Sequence, residues 1–413
     1  KTKMKDSSNV KEIKIAYIGG GSRYWAHELM SDIALCDKIK GEIALYDIDH
    51  EAAKFNVKVA ENIFSHPDSK TRFSVNAKKK AEDALKGADF IVCSIEPGPT
   101  EARYADLEIP KKYGIIQTVG DSTGPGGIMR ALRAVPIKAD YAHMIMSICP
   151  KAWVINYTNP MTLCTRAFYA AEPEIKAFGC CHEVFGTQRF LANKVKEWFN
   201  VEEPSRKEIV LDISGVNHFT FASAASWNGI DLFPKLKTIT SDKKAFPDRT
   251  RKAMERVKKG KWFESDNLVA LDFFRRFGVL GAAGDRHLVE FVPWYLSSEK
   301  ELHRWGVVCT PYSWRLKRSK ERRSNPMMDK AVINPSGEEG VDLILALLGI
   351  KPIDTNVNIP NKGQISSLPH GAVVETYAQF RQDSLKPIIA KPLPASVSEM
   401  VRRIVAVQEI CIR

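Results

Sequence analysis

Residues Ile13–Gly21 read IKIAYIGGG, a run of strand-forming residues that ends in three glycines, and helical spacing begins almost at once, from Trp25 to Leu35. This feature most restricts the fold. A short apolar strand feeding a tight turn and a helix buries both its faces when it lies in a parallel sheet covered by helices. The pattern recurs. GEIALYDID (Gly41–Asp49) reads as a second strand, His50 to Phe64 as a helix, and FIVCSIE (Phe90–Glu96), AWVINYTNP (Ala152–Pro160) and IKAFGCC (Ile175–Cys181) as further strands. Each apolar run carries polar residues at its C-terminal end, the edge of an open α/β sheet where ligands bind. Near Val201 the character changes. Glu208–Phe233 is β-rich, with an Asn228-Gly229 hairpin signal, and beyond it the chain reads as helical with long basic loops. The expected architecture is a Rossmann-type doubly wound parallel sheet over residues 1–205 and a mixed α+β domain over 206–413. No internal repeat is evident, which sets solenoids aside.

Glycines 19–21 let the backbone turn tightly and approach a pyrophosphate, and the helix that follows offers amide donors. Tyr24 stands where a third glycine is usual. Asp47, closing the second strand, lies at the distance expected of an acid that holds a ribose 2′-hydroxyl, which favours NAD over NADP. The expected cofactor contacts are Gly19, Gly21, Ser22, Arg23 and Asp47. A glycine turn in some other doubly wound fold is the alternative.

The net charge of +12 has its basic residues clustered at Lys235–Lys261 and Arg315–Arg323. Both runs read as solvated surface without interleaved aromatics, which points away from nucleic acid and towards an anionic small molecule. Eight scattered cysteines suit a reducing compartment. The charged stretch Lys1–Lys11 has no apolar segment behind it, and no apolar run is long enough to span a bilayer. A cytoplasmic protein without membrane contact is expected.

FGCCHEVFGTQ (Phe178–Gln188) poses the chemical question. Vicinal cysteines lack redox spacing. Cys180 reads as packing. Cys181 is either a buried thiol or a metal ligand, and His182 a core histidine or a site residue. His218, in GVNHFTF, is a second candidate ligand, and the pair would leave coordination positions open for a substrate diol. Phe219, Phe221 and Trp227 read as core.

Taken together, GGGS (Gly19–Ser22), GDSTGPGG (Gly120–Gly127), NYTNP (Asn156–Pro160), CHEV (Cys181–Val184), NHF (Asn217–Phe219) and GAAGDRHLVEF (Gly281–Phe291) resemble, in order, the motifs of glycoside hydrolase family four, the NAD- and manganese-dependent glycosidases. The CHEV form, through Glu183, is similar to the subgroup acting on α-galacturonides. The resemblance implies a lactate/malate-dehydrogenase-like fold, NAD and Mn²⁺ as cofactors, and Cys181 and His218 as metal ligands. It implies Asn159 on the substrate hydroxyls, Asp121 facing the sugar, and His182 near the leaving group. Asp285 matches the base of the aspartate-type members, with Tyr295 as the alternative of the tyrosine type. A homodimer or homotetramer is implied as well.

The implied chemistry explains why a hydrolase needs a nicotinamide. Oxidation at C3 makes the C2 proton acidic, a base removes it, the glycosidic oxygen leaves by elimination, and hydride returns after water adds. A galacturonide carries a carboxylate, for which Arg286 and His287 are the expected partners. The rivals are an α-glucuronidase, an α-galactosidase or a phospho-sugar enzyme of the same family, a lactate/malate-type dehydrogenase without a metal, and a non-catalytic NAD-binding sensor.

Overall fold

The computed structural model describes residues 10–324 and 333–413. Six parallel strands form its centre: β1 (Lys11–Ile18), β2 (Ile39–Tyr46), β3 (Phe73–Lys78), β4 (Phe90–Cys93), β5 (Trp153–Asn156) and β6 (Lys176–Gly179). Their order, 6-5-4-1-2-3, is that of the dinucleotide-binding fold. Strand β1 shows why the sequence pattern produces it. Ile13, Ile15 and Tyr17 enter one apolar core, and Ala16 and Ile18 enter the other, so both sheet faces are covered.

The second sheet begins with β7 (Ile209–Val216) and β8 (Phe219–Trp227), an antiparallel pair joined through Asn217 and His218. Strand β9 (Ile230–Asp231) returns along β8 through Asn228 and Gly229, both at positive φ (48° and 77°), as the Asn-Gly signal requires. Strand β10 (Leu280–Gly281) pairs with β8 from the other side. Phe219, Phe221 and Phe273 are wholly buried here and pack edge-on. Truncating one of them to alanine costs about 3–5 kcal/mol.

Two expectations need correction. The region beyond residue 233 holds three long-range strands that its composition did not reveal. Strands β11 (Ile353–Pro360), β12 (Val373–Arg381) and β13 (Ser384–Pro387) run antiparallel, and β11 joins the edge of the first sheet at β6 through Asn358 and Gly179, making nine strands in all. Residues 353–387, from the half of the chain expected to form a separate domain, therefore extend the nucleotide-binding sheet. The C-terminal helix Ala395–Ile412 is held to the helix Met161–Ala171 by the Arg166–Glu409 pair, at 2.9 and 3.1 Å.

The basic runs are not wholly solvated. Arg256 is buried, donating to the Gly306 carbonyl at 2.6 Å and facing Asp266 at 3.2 Å. Arg315 turns inward on the helix Tyr312–Ser324, with Nε and Nη2 buried. Charge clusters read as surface only while their partners are unknown. For Arg256 the partners come from other segments, while Arg315 Nε and Nη2 are buried without an acceptor among the described residues.

Candidate active site

The residues with chemical potential collect at the C-terminal ends of β4, β5 and β6, where the parallel sheet opens. Beyond β1, glycines 19–21 pass so close to β2 and β4 that a side chain cannot be built. An added Cβ on Gly19 would lie 2.0 Å from the Ser94 carbonyl oxygen, and one on Gly21 would lie 2.8 Å from Asp47 Oδ2. The Gly21 amide donates to Asp47 Oδ2 at 2.8 Å, so the acid at the end of β2 also shapes the loop. Asn56, which the motif reading overlooked, donates to the carbonyls of Gly20 and Ser22 at 2.7 and 2.9 Å and faces His27 at 2.9 Å. Arg23 lies over Phe55 at 3.6 Å. The close backbone, the acid and the helix that follows fit a dinucleotide.

Glu96, past the end of β4, accepts from both terminal guanidinium nitrogens of Arg130, Nη1 and Nη2 (2.5 and 2.9 Å), and from Nη1 of Arg103 (3.0 Å). Burial raises its carboxyl, but these two arginines outweigh it and keep the group below the usual range. Arg130 Nε donates to the Asn159 carbonyl at 2.8 Å, and Asn159 Nδ2 donates to Asp121 Oδ2 at 3.3 Å. The loop carrying Asp121 is anchored from the second half of the chain, since Glu290 accepts the amides of Val119 and Gly120 at 2.7 and 2.9 Å.

Asp121, His218 and His287, all buried, bring one ligand atom each within 4.8 Å of one another. The two imidazoles stack with centroids 4.1 Å apart. The Ser122 hydroxyl donates to Asp121 Oδ1 at 2.9 Å and lies 2.7 Å from His218 Nδ1. With its one proton on Asp121, it accepts from Nδ1–H, which leaves the lone pair of His218 on Nε2. Burial and the neighbouring His287 push His218 down to about 3, so the ring is neutral at pH 7, the form that binds metals. Asp121 is held far below the carboxylate range, because His287, His218, Arg130 and Arg103 outweigh its burial. The buried atoms Asn159 Oδ1 and His287 Nδ1 have no hydrogen-bond partner among the described residues. An acid, imidazole nitrogens and orphaned acceptors fit a divalent cation.

The placement of the other expected residues is mixed. Cys181 does not join that trio. Its thiol meets the side chain of Asn217, next to His218, and burial together with Glu375 and Glu183 pushes it well above the usual thiol range. Cys180 packs with the first sheet's core, as expected. His182 is half-exposed, with Nδ1 3.0 Å from Glu338 and its ring 5.9 Å from Trp25 of the glycine-loop helix. Arg286 lies over Phe263 at 4.4 Å, with Nε buried and unpartnered. His287, expected against a substrate carboxylate, has Nε2 3.4 Å from Glu183.

Asp285 has both oxygens engaged elsewhere. Oδ1 accepts the Ala270 amide and Oδ2 the Ser265 hydroxyl, each at 3.0 Å. It thus caps the helix Leu268–Phe277, whose first amides would otherwise lack acceptors. Burial pushes its pKa up to about 6 despite these bonds. Tyr295 is wholly buried and donates to Asp272 at 2.8 Å within the core.

Sequence reasoning missed Glu375 on β12. It is buried, accepts from Thr220 at 2.6 Å and from Asn358 at 3.2 Å, and lies 3.4 Å from the Asn217 and Asn356 amide nitrogens. The polar residues of DTNVNIP on the neighbouring strand β11, which supply Asn356 and Asn358 as its partners, were the available signal.

The chain matches the models of the Family 4 glycosyl hydrolase over residues 14–197 and of the Family 4 glycosyl hydrolase C-terminal domain over residues 213–413. It is 45% identical over 414 residues to an alpha-galacturonidase of Thermoanaerobacterium saccharolyticum, covering 98% of this chain and 88% of that one. A Bacillus subtilis crystal structure, provisionally named a glucosidase, superposes with a TM-score of 0.88 at 40% identity, covering 97% of this chain and 91% of that one. A 6-phospho-alpha-glucosidase from gut microorganisms, solved with NAD and Mn²⁺, shares the fold at a TM-score of 0.75 and 19% identity, over 97% of this chain and 90% of that one.

Proposed function

Because the chain belongs to glycosyl hydrolase family 4, we propose that it is an alpha-galacturonidase that works with NAD and Mn²⁺. One observation carries this reading: the buried trio Asp121, His218 and His287, beyond the ends of the parallel strands, in a chain 45% identical over nearly its whole length to an alpha-galacturonidase. A lactate/malate-type dehydrogenase works with a single His–Asp pair and no metal, whereas here a second imidazole joins one carboxylate and one imidazole within ligand distance. Likeness to a galacturonidase favours this substrate over the glucuronide and galactoside alternatives.

When bound, NAD supplies hydride acceptance and return at C3, and Mn²⁺ supplies Lewis-acid polarisation of the neighbouring sugar oxygens. The proposed metal ligands are Cys181 and His218, with Asp121 added on geometry. Asn159, through its unpartnered Oδ1, takes a sugar hydroxyl. His287 takes the C2 proton at Nδ1, and Glu183 facing Nε2 fixes the ring tautomer that makes this possible. Asp285, the base suggested by its motif position, keeps a capping role, because both its oxygens already have donors. His182, whose ring neighbours Trp25 of the glycine-loop helix, is assigned to the leaving group, and Arg286 to the uronate. A cytoplasmic location keeps Cys181 reduced. Assembly as a homodimer or homotetramer rests on the family resemblance alone.

The test is release of p-nitrophenol from the α-D-galacturonide with catalytic NAD⁺, Mn²⁺ and a thiol reductant. Activity is expected, is lost with EDTA and returns with Mn²⁺. In heavy water the product carries deuterium at C2. Stoichiometric NADH, or no deuterium at C2, would overturn the reading.

A further inference from the structure

We infer that Arg315 is a specificity-determining residue, one that grips the C5 carboxylate of the sugar alongside Arg286; this rests on the galacturonide reading of the site. Arg315 belongs to the helix Tyr312–Ser324, which bridges three parts of the molecule. Tyr312 packs edge-on against Tyr104 at 5.1 Å, Trp314 against Phe263 at 5.4 Å, and Arg322 lies over Tyr24 beside the nucleotide loop at 4.5 Å. Phe263 is also the ring beneath the Arg286 guanidinium. The helix and Arg286 thus share one support, and Arg315 lies close enough to Arg286 and Asp121 to feel both charges.

Arg315 Nε and Nη2 are buried and find no acceptor among the described residues, and Arg286 Nε is in the same state. The charges that act on Arg315 are those of Arg103, Asp121, Arg286 and Glu96. Glu96 is already spent on Arg130 and Arg103, and Asp121 on Ser122, Asn159 and the two imidazoles. Arg103, Arg130 and Arg315 therefore share two carboxylates whose oxygens are occupied, and Arg286 adds a further positive charge beside Arg315. Burial and the nearby Arg103 and Arg286 pull Arg315 down to about 9, which leaves it cationic at neutral pH but poorly compensated. A planar monoanion offers two oxygens to a guanidinium fork and restores the balance, which a neutral sugar cannot do.

The experiment is calorimetric titration of the full chain, in NAD⁺ and Mn²⁺, with D-galacturonate and with D-galactose. Wild type is expected to prefer galacturonate by about 30-fold or more, the range for a hydrogen-bonded charge pair. Arg315→Met is expected to reduce that preference to about threefold while leaving galactose affinity within about threefold of wild type. Arg315→Lys keeps the charge without the fork and should fall between; it carries the test if the methionine variant does not fold. Retention of the preference in these variants, or equal loss for both sugars, overturns the role of Arg315 and leaves the galacturonidase reading standing. A wild-type protein that binds both sugars alike overturns the reading beneath it.

Discussion

Glu183 Oε1 lies 3.4 Å from His287 Nε2, while its Oε2 accepts the Gly284 amide at 2.8 Å. One carboxylate on the helix Glu183–Phe199 thereby fixes both the His287 imidazole and the turn that carries it. Burial opposes the charge, yet His287, His218 and His182 hold the carboxyl well below its ordinary 4.5. A depressed carboxylate stabilises the fold above its unfolded pKa, and that contribution fades as pH falls below about 4.5. Glu183→Gln keeps an acceptor for Gly284 and removes the charge. Urea midpoints at pH 5 and pH 3.5 should differ less for the variant than for wild type, and kcat should fall about 10- to 100-fold.

The metal and proton roles separate by variant. His218→Ala and Cys181→Ser should raise the Mn²⁺ Kd by more than about 100-fold, read from the free-ion electron-spin signal. His287→Gln should leave that Kd within about threefold and abolish deuterium entry at C2. A comparable loss of Mn²⁺ in His287→Gln would make His287 a fourth ligand instead of the base.

Asp285 provides the opposite pH signature. Its folded pKa of about 6 is raised above its ordinary 3.8, so its contribution is present below about 3.8 and is lost as pH rises through 6, a cost of about 3 kcal/mol at neutrality. Asp285→Asn should flatten the stability profile between pH 4 and 6, measured by urea unfolding, and leave kcat within about threefold. A fall of a thousandfold would return the base role to Asp285.

Asp47→Ala removes the acceptor for the Gly21 amide and the expected ribose contact. The NAD⁺ Kd, followed by protein fluorescence, should rise roughly tenfold, and preference over NADP⁺ should shrink. Mn²⁺ affinity should not change.

How much of this was legible depends on the range of the interaction. Strands β1 to β6 were readable because each buries both faces in a short apolar run, and such runs interrupt helical periodicity visibly. Strands β11 and β12 were not, because Asn356, Asn358 and Glu375 place polar side chains on the buried faces, where they pair with one another instead of with water. The same holds for Arg315, whose basic neighbours read as surface.

By itself the sequence determined the parallel sheet, the glycine loop with its acid, and the inventory of thiol, imidazoles and carboxylates, since these depend on residue type and local spacing. The tertiary structure alone decided which member of GDRHLVEF meets the site. Asp285 and His287 are two residues apart on one turn, and one caps a helix while the other stacks on His218. That choice follows from where the Ala270 amide and the Glu183 carboxylate stand in space, and neither can be read from the spacing between them in the chain.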